Sequence, residues 1–251
     1  VLPTGLNQGF IEVVRHAKTE AALQQEKGTF SGVFDRETFS RFISQHNQNK
    51  YSLEIAKENF MLSSAGYAVS TCVLGIADRH PGNIMVQEDG HFFHIDFGHF
   101  LGNFKTKLGY QRENAPFHFS LAAAYVCGYS EKVEKNEKVA DKWAEQSEEF
   151  KKFQQEAAVA YNILRKNSRL LITLLVLMIG TGIPELQKPS DIDYMKNMMN
   201  LDLSDEDAAK QFSKLIKISL ESTKTILNNL FHILGNSVEH SNLVLNHFHI
   251  H

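Results

Sequence analysis

The 251-residue sequence predicts a mainly α fold with one small β-hairpin. Three observations lead there. Apolar residues recur every three to four positions through 52–75, at Leu53, Ala56, Phe60, Ala65, Val69, Cys72 and Val73, the spacing of a helix with one face in a core. From Leu121 onward the chain reads as a succession of helices. Between these two regions, Ile84-Met85-Val86 and Phe92-Phe93-His94-Ile95 read as short apolar strands joined by Glu88-Asp89-Gly90, and Asp-Gly between apolar runs favours a tight hairpin.

Taken in order, the chain opens with Gly9-Phe10-Ile11-Glu12-Val13-Val14, a β-rich run that by itself reads as an edge strand. Short amphipathic helices are expected over 18–25 and 35–45, with a loop between them at 28–32. The polar stretch 45–50 is expected to be exposed, and Ser52, with Lys57 and Glu58 nearby, gives the long helix a polar start. After Gly98, the stretch from Gly102 to Arg112 has glycines and no period, which argues for a loop of the kind where substrate-reading residues sit. The charged stretch 131–149 reads as a surface insertion. Helices are expected over 150–167 and 168–179. Ser190 with Asp193, and Ser204 with Asp205, Glu206 and Asp207, look like helix starts, since a hydroxyl cap and early acids suit the positive helix end. Residues 211–234 are amphipathic. The irregularly spaced His232, His240, His247, His249 and His251 read as a flexible end rather than a metal site.

Composition narrows the class. An apolar content of 43% and a charged content of 22% are ordinary for a globular protein with a sizeable core. The formal charge of −3 supplies no global pull toward nucleic acid, so attraction to acidic lipid would have to be local. Two cysteines, Cys72 and Cys127, make no disulfide framework, which suits a reducing cytosol. Val1–Gly9 lacks the basic start and apolar run of a signal peptide. The longest apolar run, 170–179, is too short to span a bilayer and reads as a buried helix.

Two polar clusters bracket the hairpin: Asp78-Arg79-His80-Pro81-Gly82-Asn83 before it and Asp96-Phe97-Gly98 after it. Asp78 precedes Asn83 by five residues, and Asp96 follows Asn83 by thirteen. Kinase catalytic loops use an Asp five residues before an Asn, followed by a DFG. Phosphoryl transfer asks the protein mainly for position and charge: Mg²⁺ against the ATP phosphates, and an acceptor hydroxyl in line. Asn83 and Asp96 offer hard oxygens of the kind Mg²⁺ takes, and Asp78 or His80 could accept the hydroxyl proton. Singly, each tripeptide reads as a loop or turn; the order and spacing together carry the chemistry.

The loop reads Asp-Arg-His where protein kinases have His-Arg-Asp. DRHPGN followed by HIDFGHFL resembles the catalytic and activation loops of the phosphoinositide 3-kinases and their relatives. The resemblance runs from Gly9–Val14 to Phe231-His232 and includes Ala115-Pro116-Phe117 and Gly180-Thr181-Gly182-Ile183-Pro184-Glu185-Leu186. It implies the C-terminal lobe of a protein-kinase-like fold, with a hinge at 9–16, a catalytic loop at 77–83 and an activation loop at 96–117. Nothing upstream of the hinge supplies a glycine-rich loop or a phosphate-gripping lysine, so the N-terminal lobe and further upstream domains are expected to be missing from this chain.

The resemblance implies ATP-dependent phosphorylation of the 3-hydroxyl of phosphatidylinositol lipids. Asp78, Arg79 and His80 would form the catalytic set, with Asp78 and His80 orienting and deprotonating the hydroxyl. Asn83 and Asp96 would hold Mg²⁺. The backbone of Glu12 and Val14 would bond adenine, and Met85 and Ile95 would line its pocket. Lys105, Lys107 and Arg112 would read the headgroup phosphates. The first basic box is thinned to two lysines around Thr106, and Gln111 and Asn114 stand where relatives are often basic, which points toward less phosphorylated lipids. The implied setting is cytoplasmic and peripherally membrane-associated, with a phosphatidylinositol lipid and a regulatory subunit as partners and no nucleic acid. The alternatives are a related protein Ser/Thr kinase, a phosphatidylinositol 4-kinase, and a non-catalytic kinase-lobe fragment.

Overall fold

The structure is a computed structural model. It describes residues 1–6, 8–28, 31–103, 115–130 and 146–223, with the backbone alone at 106–107 and 110–111. Of the expected surface insertion at 131–149, residues 131–145 lie outside the described residues, as does the histidine-bearing stretch beyond 223; Gln146 is buried, and Ser147, Glu148 and Glu149 are the cap and first turn of a helix, not part of an insertion.

The chain starts with a small antiparallel pair, β1 (Leu2–Gly5) and β2 (Gln8–Phe10), exposed along its length. Residues 11–16 then lead to β3 (Ala17–Thr19) and α1 (Glu20–Glu26), whose N-cap Thr19 accepts the Ala22 N–H. Lys18 therefore belongs to a strand and not to the expected helix. Next come α2 (Thr38–His46) and α3 (Lys50–Leu74). The cap of α3 is Asn49, whose side chain accepts the Ser52 N–H at 2.8 Å, so the helix starts two residues ahead of the Ser52 expected from the sequence.

The hairpin falls where the sequence places it, as β4 (Ile84–Gln87) and β5 (Phe92–His94), with Ile84 opposite His94 and Val86 opposite Phe92. The two-residue period turns these four side chains into the core. Gly90 closes the turn with φ +91°, and a Cβ there would stand 1.9 Å from the Ala56 carbonyl oxygen, so both the conformation and the close approach to α3 require glycine. The sequence reading lacked the third strand. β3 adds to β4 with Lys18 opposite Val86, making a three-stranded sheet that ties the chain leaving 11–16 to the site hairpin.

The helical part contains α4 (Leu121–Val126), α5 (Glu148–Lys166), α6 (Ser168–Met178), α7 (Asp193–Met199) and α8 (205–223). Two aromatic groups fill the core. Phe39, Phe60 and Phe92 join α2, α3 and β5, with centroids 5.2–6.0 Å apart. Phe117, Phe119, Phe153, Tyr161 and Phe212 form a second stack under the helical end. The predicted stripe of α3 is buried, with Leu53 only partly so.

One expectation fails. α6 carries the longest apolar run, yet it contains no buried residue. Leu170, Leu174 and Leu177, spaced four and three apart on one face, stand exposed, while Leu171, Ile172 and Leu175 rest part-buried on the core. Apolar composition alone does not say how many sides of a helix find partners. Among the described residues no helix is long and apolar enough to cross a membrane.

Candidate active site

Two loops converge at the ends of the hairpin. α3 stops at Gly75 in the left-handed region, with φ +55°, and the chain turns back on itself. The Leu101 N–H donates to Leu74 O at 2.7 Å, and the Ala77 N–H to His99 O at 2.9 Å. The chain entering the first polar cluster therefore lies beside the chain leaving the second. A Cβ on Gly75 would stand 2.4 Å from the Gly102 nitrogen, so this close pairing depends on glycine.

Arg79 locks the loops together. Its Nε donates to Ala77 O at 3.0 Å and Nη1 to Ile95 O at 2.8 Å, while Nη2 donates to Asp96 O. The guanidinium also lies 5.5 Å from the Phe97 ring centroid. One fixed cation thus ties the backbone just before Asp78 to the backbone on either side of the Asp96 α-carbon. Asp78 and Asp96 adopt φ of +58° and +60°, a left-handed conformation that Asp tolerates better than most residues.

Asn83 ends the 3-10 turn Pro81–Asn83 and is buried. Its Nδ2 donates to Asp78 O at 3.1 Å, which turns the amide's acceptor, Oδ1, away from that bond. Its own carbonyl accepts the Ile95 N–H at 3.0 Å, so Asn83 and Asp96 are neighbours across the hairpin base. The Asp96 side chain is exposed, and Oδ1 accepts the Gly98 N–H at 3.4 Å. Among the described residues, no group of three or more His, Cys, Asp and Glu side chains is arranged to hold a metal. The donor set is one amide oxygen and one carboxylate, hard oxygens of the type that suits a cation keeping most of its waters and sharing substrate phosphates. His80 is exposed, and its Nδ1 accepts the Gly82 N–H at 3.1 Å, leaving Nε2 as the ring nitrogen open to a substrate.

Two histidines that the sequence did not single out for the site lie beneath it. His94 on β5 is buried, stacked on Tyr67 with centroids 5.0 Å apart, and neither ring nitrogen has a protein partner. Burial, then the charges of His118 and Arg79, push it down to about 3. His118, with Nε2 buried and unpartnered, is pushed down to about 4 by burial, then by Arg79 and His80. Both rings are therefore neutral at neutral pH, and Arg79 remains the cation under the loops. His118 is held by its neighbours: the Phe117 N–H donates to Ser219 Oγ at 3.3 Å, and Thr223 Oγ1 donates to Phe119 O at 3.0 Å, both from α8.

The remaining candidates are placed as follows. Met85 is half-buried and Ile95 exposed, on the hairpin beside Asn83 and Asp96. Glu12 and Val14 are exposed on an irregular stretch after β2. Lys107 lies on a two-residue strand, Thr106–Lys107, paired with Tyr110–Gln111. Lys105 and Arg112 lie outside the described residues.

Comparison with known proteins bears on this geometry. The phosphatidylinositol 3- and 4-kinase family model matches residues 1–188. Phosphatidylinositol 3-kinase 1 of Dictyostelium discoideum is 43% identical over 94% of this chain and 14% of its own length. Phosphatidylinositol 3-kinase 2 of the same organism is 42% identical over 92% of the chain and 12% of its own length. The mouse phosphatidylinositol 3-kinase C2 domain-containing subunit gamma is 40% identical over 93% and 15%. The chain thus spans a small fraction of the length of the curated relatives it matches. Both loops and the hairpin between them fall inside the matched residues, and the chain belongs to the phosphatidylinositol 3- and 4-kinase family.

Proposed function

We propose that this chain is the catalytic-loop-bearing part of a lipid kinase that transfers the γ-phosphoryl of ATP to the 3-hydroxyl of a phosphatidylinositol lipid. The observation that carries the reading is the Arg79 clamp, which brings Asp78, Asn83 and Asp96 to one hairpin base in a chain whose relatives bear the name phosphatidylinositol 3-kinase. In the reaction the lipid oxygen bonds to the γ-phosphorus, the bond to the β-phosphate bridging oxygen breaks, ADP leaves, and the hydroxyl proton goes to the protein.

Asp78 and His80 orient the hydroxyl, and one of the pair takes up that proton. With the Gly82 N–H on Nδ1, a neutral His80 carries its proton on Nε2, so the Asp78 carboxylate is the acceptor ready in this geometry. The Arg79 guanidinium donates to the carbonyls of Ala77, Ile95 and Asp96, and its role is positioning. Asn83 Oδ1 and the Asp96 carboxylate would hold Mg²⁺, which when bound neutralises charge on the transferring phosphoryl. The backbone of Glu12 and Val14 meets adenine, with Met85 and Ile95 lining its pocket. Lys105, Lys107 and Arg112 read the headgroup, at the surface of a membrane facing the cytosol.

The test uses the full-length polypeptide carrying this segment, with phosphatidylinositol in vesicles. Asp96→Asn is expected to lower kcat by about 10²-fold or more, since a metal-held charge contributes several kcal/mol. Turnover within tenfold of the parent overturns the assignment. A product phosphorylated at the 4-position instead of the 3-position moves the protein to the 4-kinase branch.

A further inference from the structure

Among the described residues, Glu20 is a further buried ionisable group without a full set of partners, and it plays no part in the proposed chemistry. It is the first residue of α1 and is almost completely buried. Oε1 accepts the Gln24 Nε2 at 3.5 Å, the Ser120 hydroxyl bonds the carboxyl group, and Oε2 has no partner. Ser120 is also the N-cap of α4, where its Oγ accepts the Ala123 N–H at 3.1 Å. The carboxyl therefore joins two helices that bracket the site. The Pro81–Asn83 turn packs on α1, and the α4 cap, Ser120, comes three residues after the Phe117 that anchors the end of the second loop.

No described cation is paired with Glu20. Lys18 of β3 is bound to Glu26 at 2.5 Å, and Arg41 of α2 to Asp35 at 2.6 Å. Pro81, Gly82 and Asn83 bring no titratable side chain. On α4 the one titratable side chain is Tyr125, which is exposed. His118, two residues before Ser120, is neutral and faces Arg79 and His80. A buried carboxylate with one orphaned oxygen and no counter-charge is costly, whereas the neutral acid is cheap to bury.

We propose that Glu20 is a pH-sensitive latch between α1 and α4, closed when its carboxyl is protonated and opened when it ionises. Burial pushes this carboxyl up to about 7 from the ordinary 4.5, against the weaker pull of the Ser120 hydroxyl. The sign follows from proton counting. The closed state holds a proton that the open state has released, so its advantage is full at low pH and is lost as pH rises through 4.5 to about 7. Opening frees α4's cap and slackens the support of the Asn83 turn, so the latch would link cytosolic alkalinisation to the site. That functional consequence rests on the kinase reading; the latch itself does not.

The experiment is amide hydrogen exchange on the 251-residue chain at pH 6 and pH 8.5, corrected for intrinsic exchange, with Glu20→Gln alongside. In the parent, protection at Ala123 and in the first turn of α1 is expected to fall about tenfold or more at pH 8.5, and the Gln variant to keep its protection at both. Equal behaviour of the two proteins, or a parent indifferent to pH, overturns the latch. Should Glu20→Gln fail to fold, the ¹³C side-chain titration of Glu20 in the parent decides: a midpoint near the ordinary glutamate value overturns the proposal, and a midpoint near neutrality supports it. In the full-length enzyme, the activity ratio of Glu20→Gln to parent should rise between pH 6 and 8.5. Absence of any kinase activity would refute the functional reading and leave the exchange result to judge the latch.

Discussion

Replacing Arg165 with Met tests how the helical end is held together. Arg165 is buried near the end of α5, and four of its five contacts converge on the turn from α7 into α8. Nε donates to Met199 O at 3.0 Å, and Nη2 donates to Asn200 O at 3.3 Å and Leu203 O at 2.5 Å. Nη1 donates to Asn162 Oδ1 at 2.7 Å and Asp205 Oδ1 at 2.9 Å. Asn200 sits at φ +45°, so the turn is not a conformation the backbone seeks by itself. Met fills similar volume but donates nothing, stranding three carbonyls, each worth about 1–3 kcal/mol if left buried and unpaired. The terms overlap, and relaxation will admit water, so the expected loss is about 3–5 kcal/mol. At this chain length that corresponds to a fall in Tm on the order of 10 °C. Urea unfolding followed by circular dichroism measures it. Asp205→Asn, by contrast, should cost a small fraction as much, because Asp205 is solvent-exposed and the carbonyl contacts survive. A loss below about 1 kcal/mol for Arg165→Met, or equal losses for the two variants, would refute the view that carbonyl capture holds this turn.

The acid limb of stability should depend on His94. Its folded value of about 3 lies below the ordinary 6.5, so the folded protein binds fewer protons than the unfolded chain and loses stability as pH falls from 6.5 toward 3. His94→Phe keeps a ring against Tyr67 and should spare about 2–3 kcal/mol of the loss between pH 7 and 4.5, read from urea midpoints at the two pH values; identical losses would sink the attribution. Replacing both Lys105 and Lys107 by Ala in the full-length enzyme should slow transfer to phosphatidylinositol 4-phosphate and the 4,5-bisphosphate more than to the plain lipid. Vesicles of matched surface charge are needed because lysines also attract acidic membranes, and equal losses on all three lipids would show that this loop does not select among them.

The hairpin and the long stripe of α3 were legible because each has its own period, two and about 3.6, sustained over enough residues to exclude the other. The Asp78, Asn83 and Asp96 spacing was legible because it belongs to one continuous stretch. Less could be read where the partner is distant in sequence. β3 is three residues long and earns its strand geometry only from pairing with β4, in a register that sets Lys18 opposite Val86, 68 residues further along the chain. The Arg79 clamp was hidden because its acceptors are backbone carbonyls, which carry no residue identity. Glu20 looked like an ordinary acid at the start of a helix, a favourable exposed position, and only the packing of α1 on α2, the Pro81–Asn83 turn and the sheet, with Ser120 against its carboxyl, makes it a buried one. α6 misled for the opposite reason: its run of leucines and isoleucine is real, but the neighbours that would bury every face are not among the described residues.

The left-handed φ of Asp78 and Asp96 bears on how these two positions should be probed. An alanine there removes a carboxylate and also places a residue that dislikes the conformation, so a lost activity would mix chemistry with backbone strain. Asparagine is among the few residues that accept this region readily, and it has almost the same shape as aspartate. The Asp-to-Asn pair is therefore the exchange that isolates charge, and the gap between Asn and Ala variants in folding, measured at either position, reads out directly how much conformational tension the two loops hold in place.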